Sequence, residues 1–531
     1  MRFLGTKFFG ADSAICLIDI KKKKIFAAST ERYSRYKHDW RSVSIILNTI
    51  KIKKFKSISH SFNNFKSEDT CFENKSFFIF ILLLRKLFDF FSVSKKTIYN
   101  VNSSFIRNLF HTICYIFSFG NKFIIKKYIE FCLKRFSFDK LKFYDHHLCH
   151  AASSYYFSNL KFNEESHCLT LDGQGDGYFS KLFLFKGNSY KEISGSKSEV
   201  FFYKGNFHVT SIGELYSNFT EALGLIRNND EGKTEALAAY GKPNKKILKD
   251  LINSYYIDDL SIKFKVKELK KYYDILFLKR LCKKIGKENF ASTIQSLLEY
   301  LIIDYLSSLK KKLNVSKICL SGGVFANIIL SLKIYENFHF DKIFVVPAMT
   351  DDGTASGAAV LSAIENKQDI KWIKKYKLPY FGNKFDANQI KQILKLNSKK
   401  INYSYYGKKW TFHASNSILK NKVIAVFNNE MEYGPRALGN RSILANAYNP
   451  KMRDILNLKV KRRPKYQPFC PSILSEDRVK LFEDSFDHKF MAIAFRLKKK
   501  FWKMIPSMIH IDGTSRPQFV DKNDNKDFTN I

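Results

Sequence analysis

Ile318-Cys319-Leu320-Ser321-Gly322-Gly323-Val324-Phe325-Ala326-Asn327 is an apolar run that breaks into a double-glycine turn and then resumes. A few apolar residues bounded by glycines form a short buried strand, and the turn predicts a strand-to-helix connection. Upstream, between Ala291 and Leu309, apolar residues at Ile294, Leu297, Leu298, Leu301, Tyr305 and Leu309 keep helical spacing. Downstream, Ile343-Phe344-Val345-Val346 is a second buried strand, followed by the small-residue helix Ala355-Ser356-Gly357-Ala358-Ala359. Helices alternating with short apolar strands predict an α/β core. Further out, Ala14 to Ile20 and Ile25 to Ala28 flank a basic turn as a β-hairpin, and Cys168 to Leu171 with Tyr178 to Phe185 form another strand pair. Around residues 366–388 the pattern lapses into charged, aromatic, Pro- and Gly-bearing sequence, and Val423 to Phe427 then reads as a new strand. The expected organisation is a large domain over 1–375 and a smaller one over 376–531, with 60–140 a distinct aromatic and basic segment.

The length, 531 residues, suits two to four domains at ~150 residues each. Lys and Arg number 90 against 49 Asp and Glu, a formal charge of +41. Such a charge suits nucleic acid or an anionic membrane. The lysines are scattered, however, and 51 Phe with 28 Tyr point to compositional bias across the chain. A phosphate-bearing substrate is therefore expected, and nucleic acid is not. Nine cysteines without a CxxC pair suit a reducing, cytoplasmic setting. The first seven residues lack the apolar core of a signal peptide. The apolar run Phe77 to Leu84 stops at Arg85-Lys86, short of the ~20 residues that span a bilayer. The wider stretch 76–137 suits an aromatic-rich subdomain packed on the core better than a segment lying on an acidic membrane surface. A homodimer is compatible with the sequence, which does not fix the oligomeric state.

Five segments carry chemistry. In Asp145-His146-His147-Leu148-Cys149-His150-Ala151-Ala152-Ser153, the spacing of four places the imidazoles of His146 and His150 on one helix face. Two neutral imidazoles so placed can share a metal and leave room for a carboxylate and a substrate. The missing ligand should be acidic and distant in sequence. Asp351 and Asp352, at the end of the strand Ile343 to Val346, are candidates, although an Asp capping the next helix explains that loop equally well when it is taken alone. Leu171-Asp172-Gly173-Gln174-Gly175-Asp176-Gly177 and Ser321-Gly322-Gly323 are strand-then-glycine turns, through which backbone N–H groups approach phosphate closely. Together with the N-terminal hairpin they suggest a nucleotide held between two lobes. Last, Glu432-Tyr433-Gly434-Pro435-Arg436-Ala437-Leu438-Gly439-Asn440-Arg441-Ser442, with Lys461 and Arg463 downstream, sets cations among Gly, Pro and aliphatic residues, a pattern that suits anion binding.

His146 to Ser153, Ser321-Gly322-Gly323-Val324, Asp351-Asp352-Gly353 and Glu432 to Leu444 resemble, in the right order, the O-carbamoyltransferases of nodulation factors and antibiotics. So do Glu31-Arg32-Tyr33-Ser34-Arg35 and Glu231 to Gly241, and only 60–140 falls outside the likeness. The resemblance implies an actin-like ATPase-type, two-lobed N-terminal domain followed by a YrdC-like α+β domain. It implies that carbamoyl phosphate and ATP form a carbamoyl-adenylate, and that the carbamoyl group passes to a hydroxyl of a sugar or secondary metabolite with the help of Fe(II) or a similar divalent metal. Carried over, His146, His150 and Asp351 are the metal ligands, with Asp352 the substitute. Asp172, Gly173, Gly175, Glu231, Gly322, Gly323 and Asn327 hold nucleotide. Arg436, Arg441, Lys461 and Arg463 hold carbamoyl phosphate and the adenylate. Asp12 and Lys461 are catalytic, and His147, the spare imidazole with a suitable pKa near ~6.5, is the expected general base.

The chain departs from its relatives at Ala11, where they carry His, at Asn429-Glu430 and at Gln467, and the likeness implies a C-terminal domain truncated after Ile531. Two other functions fit the same residues: a catalytically degenerate nucleotide-binding or interaction protein, and a relative that carbamoylates tRNA or protein.

Overall fold

The computed structural model describes residues 1–8, 12–38, 43–50, 52–61, 126, 129–130 and 133–531. The expectations for Phe77 to Leu84 and for most of 60–140 lie outside these residues.

The chain opens with β1 (Arg2–Lys7), β2 (Ala14–Asp19) and β3 (Lys24–Ser29), an antiparallel meander in which Leu4 faces Leu17 and Leu17 faces Phe26. β4 (Lys54–His60) and β5 (Ser137–Phe143) then add in parallel on the other side of β1, which gives the order β3-β2-β1-β4-β5. Helix α1 (His146–Tyr156) follows, capped by Asp145, whose carboxylate accepts the Leu148 N–H at 2.8 Å. The same pattern then recurs. β6 (Ser166–Gly175), β7 (Tyr178–Lys186) and β8 (Ser189–Lys197) form a meander. After α2 (Ile212–Ala222), α3 (Glu231–Ala238) and the long α4 (Lys287–Lys312), β9 (Lys317–Ser321) joins β6 in parallel. Helix α5 (Ile328–Asn337) leads to β10 (Lys342–Val345), parallel to β9, and α6 (Asp352–Glu365) closes the unit. The second sheet reads β8-β7-β6-β9-β10, the first sheet's order with its strand directions repeated. The fold is mixed α/β, as the sequence predicts.

The central strands are buried along nearly their whole length because helices cover both faces. One apolar core joins the second sheet to α1, α4 and α6, and a smaller one lines the far side of the first sheet around Leu4, Ile15, Phe55 and Leu133. The run of small residues in α6 has a steric cause. A Cβ on Gly357 would lie 1.8 Å from the Cys149 carbonyl of α1, and one on Gly5 of β1 would lie 1.9 Å from the Ala355 carbonyl. Backbone therefore meets backbone on both sides of this helix, which fixes α1 relative to the first strand.

Residues 376–531 form short pairings: Ile424–Phe427 with Arg441–Leu444, Ser472–Leu474 with Gln518–Val520, and Phe495–Arg496 with Thr514–Ser515. A π-helical turn, Ile455–Lys461, ends at Arg462 in left-handed conformation. Phe482, Ile493, Phe495 and Phe519 belong to the large core, so this unit packs against the second sheet. Among the described residues no helix is long and apolar enough to cross a membrane.

Candidate metal centre and anion cluster

Helix α1 carries His146 and His150 on the face turned toward the ends of β6 and β10, and both rings are fully buried. Asp172, where β6 enters its glycine turn, and Asp351, at the start of α6, bring carboxylates to the same point. One nitrogen or oxygen from each of the four residues lies within 4.8 Å of every other. His150 Nε2 is 3.0 Å from Asp172 Oδ2 and 3.5 Å from Asp351 Oδ1, and His146 Nε2 is 3.4 and 3.6 Å from the same two atoms. The imidazoles form the floor, and the carboxylates, 14% and 16% exposed, form the open side.

The atoms behind this cluster hold each donor in place, as outer-shell groups do at metal sites. His150 Nδ1 is 3.0 Å from Ser321 Oγ, so the serine before the double glycine orients the ring. Asp172 Oδ1 accepts the Gly173 N–H at 2.7 Å, leaving Oδ2 for the cluster. Asp351 Oδ2 meets the ammonium of Lys7 at 2.8 Å, and the Lys7 side chain is wholly buried at the end of β1. The His146 N–H donates to Asp176 at 2.7 Å, and the ring lies against Gly175, where a Cβ would come within 2.0 Å of Cδ2. Burial pulls the His150 imidazole down, but Asp172 and Asp351 outweigh it and hold it up at about 9. Burial favours the neutral acid of Asp172, yet the two imidazoles keep it well below the usual carboxylate range. His150 Nε2 is buried and, despite its 3.0 Å approach to Asp172, makes no hydrogen bond. Two imidazole and two carboxylate donors converging on one point, with a nitrogen that no hydrogen bond satisfies, fit a divalent cation. On this geometry Gly175→Ala should displace the His146 ring and weaken metal affinity ~10–100-fold, which calorimetric titration with Zn²⁺ or Mn²⁺ would measure.

The structure separates several residues that the sequence groups together. Asp172, expected at the nucleotide, joins the metal cluster. Asp352 points the other way: its carboxylate accepts from Ser29 at 2.7 Å and Thr350 at 2.8 Å, and burial, with Asp12 nearby, raises it to about 7. Asp351 is therefore the residue of that pair placed to bind metal. His147 turns away from the cluster, with Nε2 3.0 Å from the Tyr178 carbonyl and Nδ1 2.8 Å from Thr170 Oγ1. With both nitrogens committed and burial lowering its pKa to about 3, it is a fixed strut rather than a general base. Asn327 caps α5 by accepting the Leu330 N–H and pairs with Gln295 of α4, so its amide is also committed. Glu231 accepts from Ser217 Oγ at 2.8 Å and from the Asn228 N–H at 2.7 Å at the head of α3. Gly173, Gly322 and Gly323 do meet at one place. A Cβ on Gly322 would lie 2.1 Å from the Leu171 carbonyl, one on Gly323 3.1 Å from Asp172 Oδ1, and Gly213 of α2 comes equally close to Gly173. This glycine floor lies directly beside the metal cluster.

The second site is the loop 432–441. The buried carboxylate of Glu432 organises it, Oε1 accepting the N–H groups of Leu438, Asn440 and Arg441 at 2.8, 2.9 and 3.0 Å. Arg441 closes this loop, donating to the carbonyls of Asn428, Asn440, Asn383 and Asn429 while stacking 3.7 Å above Phe427. Its fork is filled by backbone, so it holds the loop together. Arg436 has no such set of partners, and its Nε is buried without one. Arg463, fixed by Asn457 at 2.7 Å and stacked on Phe469, has Arg436 as an electrostatic neighbour. Burial, then Arg463 and Arg32, hold the Lys461 ammonium below its usual value. Arg32, which also has Glu31 at 3.8 Å, thus joins Arg436, Lys461 and Arg463 from another part of the chain, an arrangement suited to a polyanion. Sequence reasoning missed Lys7 and Arg32 as parts of these sites.

The two sites share a wall. The Tyr433 hydroxyl donates to the backbone carbonyl of Asp352, Gly434 packs against the Pro347 carbonyl, and Arg32 donates to the Gly434 carbonyl at 2.5 Å. The loop bearing Arg436 is therefore fastened directly onto the loop bearing Asp351.

Residues 2–360 match the family model of the carbamoyltransferase N-terminus, and residues 415–531 that of the carbamoyltransferase C-terminus. An uncharacterised protein of Methanocaldococcus jannaschii is 41% identical over 99% of this chain and 90% of its own length. The nodulation protein NolO of Bradyrhizobium diazoefficiens is 28% identical over 73% of this chain and 69% of its own. A 3'-hydroxymethylcephem-O-carbamoyltransferase of Streptomyces clavuligerus is 30% identical over 38% of this chain and 36% of its own. With both halves matched in order, the chain belongs to the carbamoyltransferase family and is a transferase.

Proposed function

We propose that this carbamoyltransferase converts carbamoyl phosphate and ATP to a carbamoyl-adenylate, releasing phosphate from the former and pyrophosphate from the latter, and then passes the carbamoyl group to a hydroxyl of a sugar or secondary metabolite. On this reading residues 1–375 are an actin-like ATPase-type domain of two lobes, and 376–531 a YrdC-like domain. The observation that carries it is the shared wall: a site built for a polyanion is fastened to a site built for a divalent cation. Carbamoyl phosphate is a dianion and ATP a polyanion, so several fixed cations must neutralise them before their phosphates can approach. Arg32, Arg436, Lys461 and Arg463 supply those charges, with guanidinium forks where oxygens need directed donors. The glycine floor at Gly173 and Gly322-Gly323 lets backbone N–H groups come close to the nucleotide phosphates. His146, His150, Asp172 and Asp351 would hold the metal, and a cation there supplies Lewis acidity next to the carbamoyl carbonyl. Lys7 and Ser321 keep Asp351 and His150 aimed at that point. The donor set accepts Fe(II), Mn(II) and Zn(II) alike, so the proposal is for a divalent metal without further choice.

The test is to incubate the purified chain with ATP, carbamoyl phosphate and a divalent metal, following pyrophosphate and the adenylate by mass spectrometry. The expected product is a carbamoyl-adenylate with one phosphate and one pyrophosphate released for each adenylate formed. Bound ATP with no adenylate would reject the reading in favour of a nucleotide-binding protein.

A further inference from the structure

A second histidine–carboxylate pair, with Asp12 buried and His38 half-buried, lies outside the metal cluster. His38 Nδ1 is 2.5 Å from Asp12 Oδ1, and the His38 N–H donates to Glu31 Oε2 at 3.1 Å. Both His38 (φ 52°) and Asp12 (φ 59°) adopt left-handed backbone, which side-chain-bearing residues seldom do and which collects at functional sites. Asp12 is 8% exposed, whereas the imidazole keeps 26% of its surface open, and Nε2 has no partner among the described residues. A ring held through one nitrogen by a buried carboxylate, with the other nitrogen open, is the arrangement of a proton acceptor.

Its position supports that role. Asp12 lies in the turn joining β1 to β2, and Lys7, which holds the ligand Asp351, lies at the other end of the same turn. The segment 31–38 then touches three parts of the molecule. His38 binds Asp12, Lys37 donates to the Asn229 carbonyl just before α3 at 2.5 Å, and Arg32 donates to Gly434 of the anion loop. His38 thus stands where the first sheet, the α3 loop and the anion cluster meet.

We propose that His38, aligned by Asp12, takes the proton of the acceptor hydroxyl during carbamoyl transfer; this rests on the function proposed above. As the hydroxyl oxygen bonds to the carbamoyl carbon, the bond from that carbon to the adenylate oxygen breaks and AMP leaves with the electron pair. The hydroxyl proton passes to His38 Nε2, and Asp12 stabilises the resulting imidazolium. Burial pulls His38 down, Asp12 and then Glu31 push it up, and Lys37 opposes them, with a net rise above 6.5. Facing from the α3 side, Asp230 and Glu231 lie against Lys37, with Lys233 beyond. A base must be unprotonated to act, so transfer should fall as pH drops through this raised value. Asp12→Asn should move that fall to lower pH.

The experiment compares wild type, His38→Gln and Asp12→Asn with ATP, carbamoyl phosphate, Mn²⁺ and N-acetylglucosamine as the hydroxyl probe, water being the competing acceptor. Pyrophosphate reports adenylation and AMP reports transfer. In His38→Gln the first-turnover burst of pyrophosphate should persist while AMP release falls ~10²–10⁴-fold. Equal AMP release from His38→Gln and wild type, or an unmoved acid limb in Asp12→Asn, would overturn the inference alone. No pyrophosphate and no AMP from wild type would overturn the underlying function as well. Histidine NMR gives a second readout: His38 should titrate above ordinary histidines in wild type and fall back in Asp12→Asn, and an ordinary His38 in wild type would also overturn the inference.

Discussion

Replacing His150 with Ala is expected to lower carbamoyl transfer ~10³-fold or more while leaving the first turnover of pyrophosphate release intact. The ring is fully buried, contributes the donor nearest to Asp172, and is oriented by Ser321. Its loss leaves two partly exposed carboxylates facing a single imidazole, so the cation that would balance them binds more weakly and off centre. Lewis-acid assistance is worth several kcal/mol, and about 4 kcal/mol corresponds to a factor of ~10³ in rate. On the proposed function adenylation draws on Arg436, Lys461 and Arg463, which belong to the anion cluster rather than the His150 cluster. Metal analysis of the variant, with pyrophosphate and AMP measured in parallel, checks both halves. Loss of both activities would show that the two sites do not divide the work in this way.

Arg436→Ala should produce the opposite pattern, with metal content retained and pyrophosphate release lost. Arg436 is the arginine of its loop whose guanidinium the backbone has not already occupied, and its buried Nε has no partner. Losing a preorganised cationic donor costs on the order of 10²–10³ in rate where charge develops, and here a rise in KM for carbamoyl phosphate should accompany it. Arg441→Ala provides the contrast. Because Arg441 binds four carbonyls, its loss should loosen the loop and lower thermal stability, with activity falling only as far as the fold does.

How far such a site can be read in a sequence depends on whether local spacing or distant packing sets the geometry. The imidazole pair was legible because a helix fixes the i, i+4 relation, and Asp145 marks where the helix begins. Asp351 and Asp352 were indistinguishable, since adjacent residues at a helix start differ by about 100° in direction and only the neighbours, Lys7 for one and Ser29 for the other, show which faces the cluster. Asp172 looked like part of a phosphate turn because strand, Asp and glycine carry that signal wherever they occur. Lys7 gave no signal at all: a lysine ending an apolar strand reads as the strand's emergence into solvent, and here α6 covers it. Arg436 and Arg441 both sit among small residues, and Asn327 follows a double glycine, yet carbonyls as distant as that of Asn383 occupy Arg441, and Gln295 of α4, with the local cap of α5, occupies Asn327. The repeated sheet order was legible only as a succession of strands and helices, because strand neighbours such as Leu169 and Leu320 are paired across 150 intervening positions.

The Tyr433 link to Asp352 has a kinetic consequence. Mixed anhydrides such as a carbamoyl-adenylate decay in water, so an enzyme that released one between half-reactions would lose product in proportion to the journey. Here the loop that would generate the anhydride and the loop that would consume it are joined by the Tyr433 hydroxyl-to-carbonyl contact and by Gly434 packed on the Pro347 carbonyl. On the proposed reading the intermediate is handed across without escaping into bulk solvent, and its lifetime in water sets no ceiling on turnover.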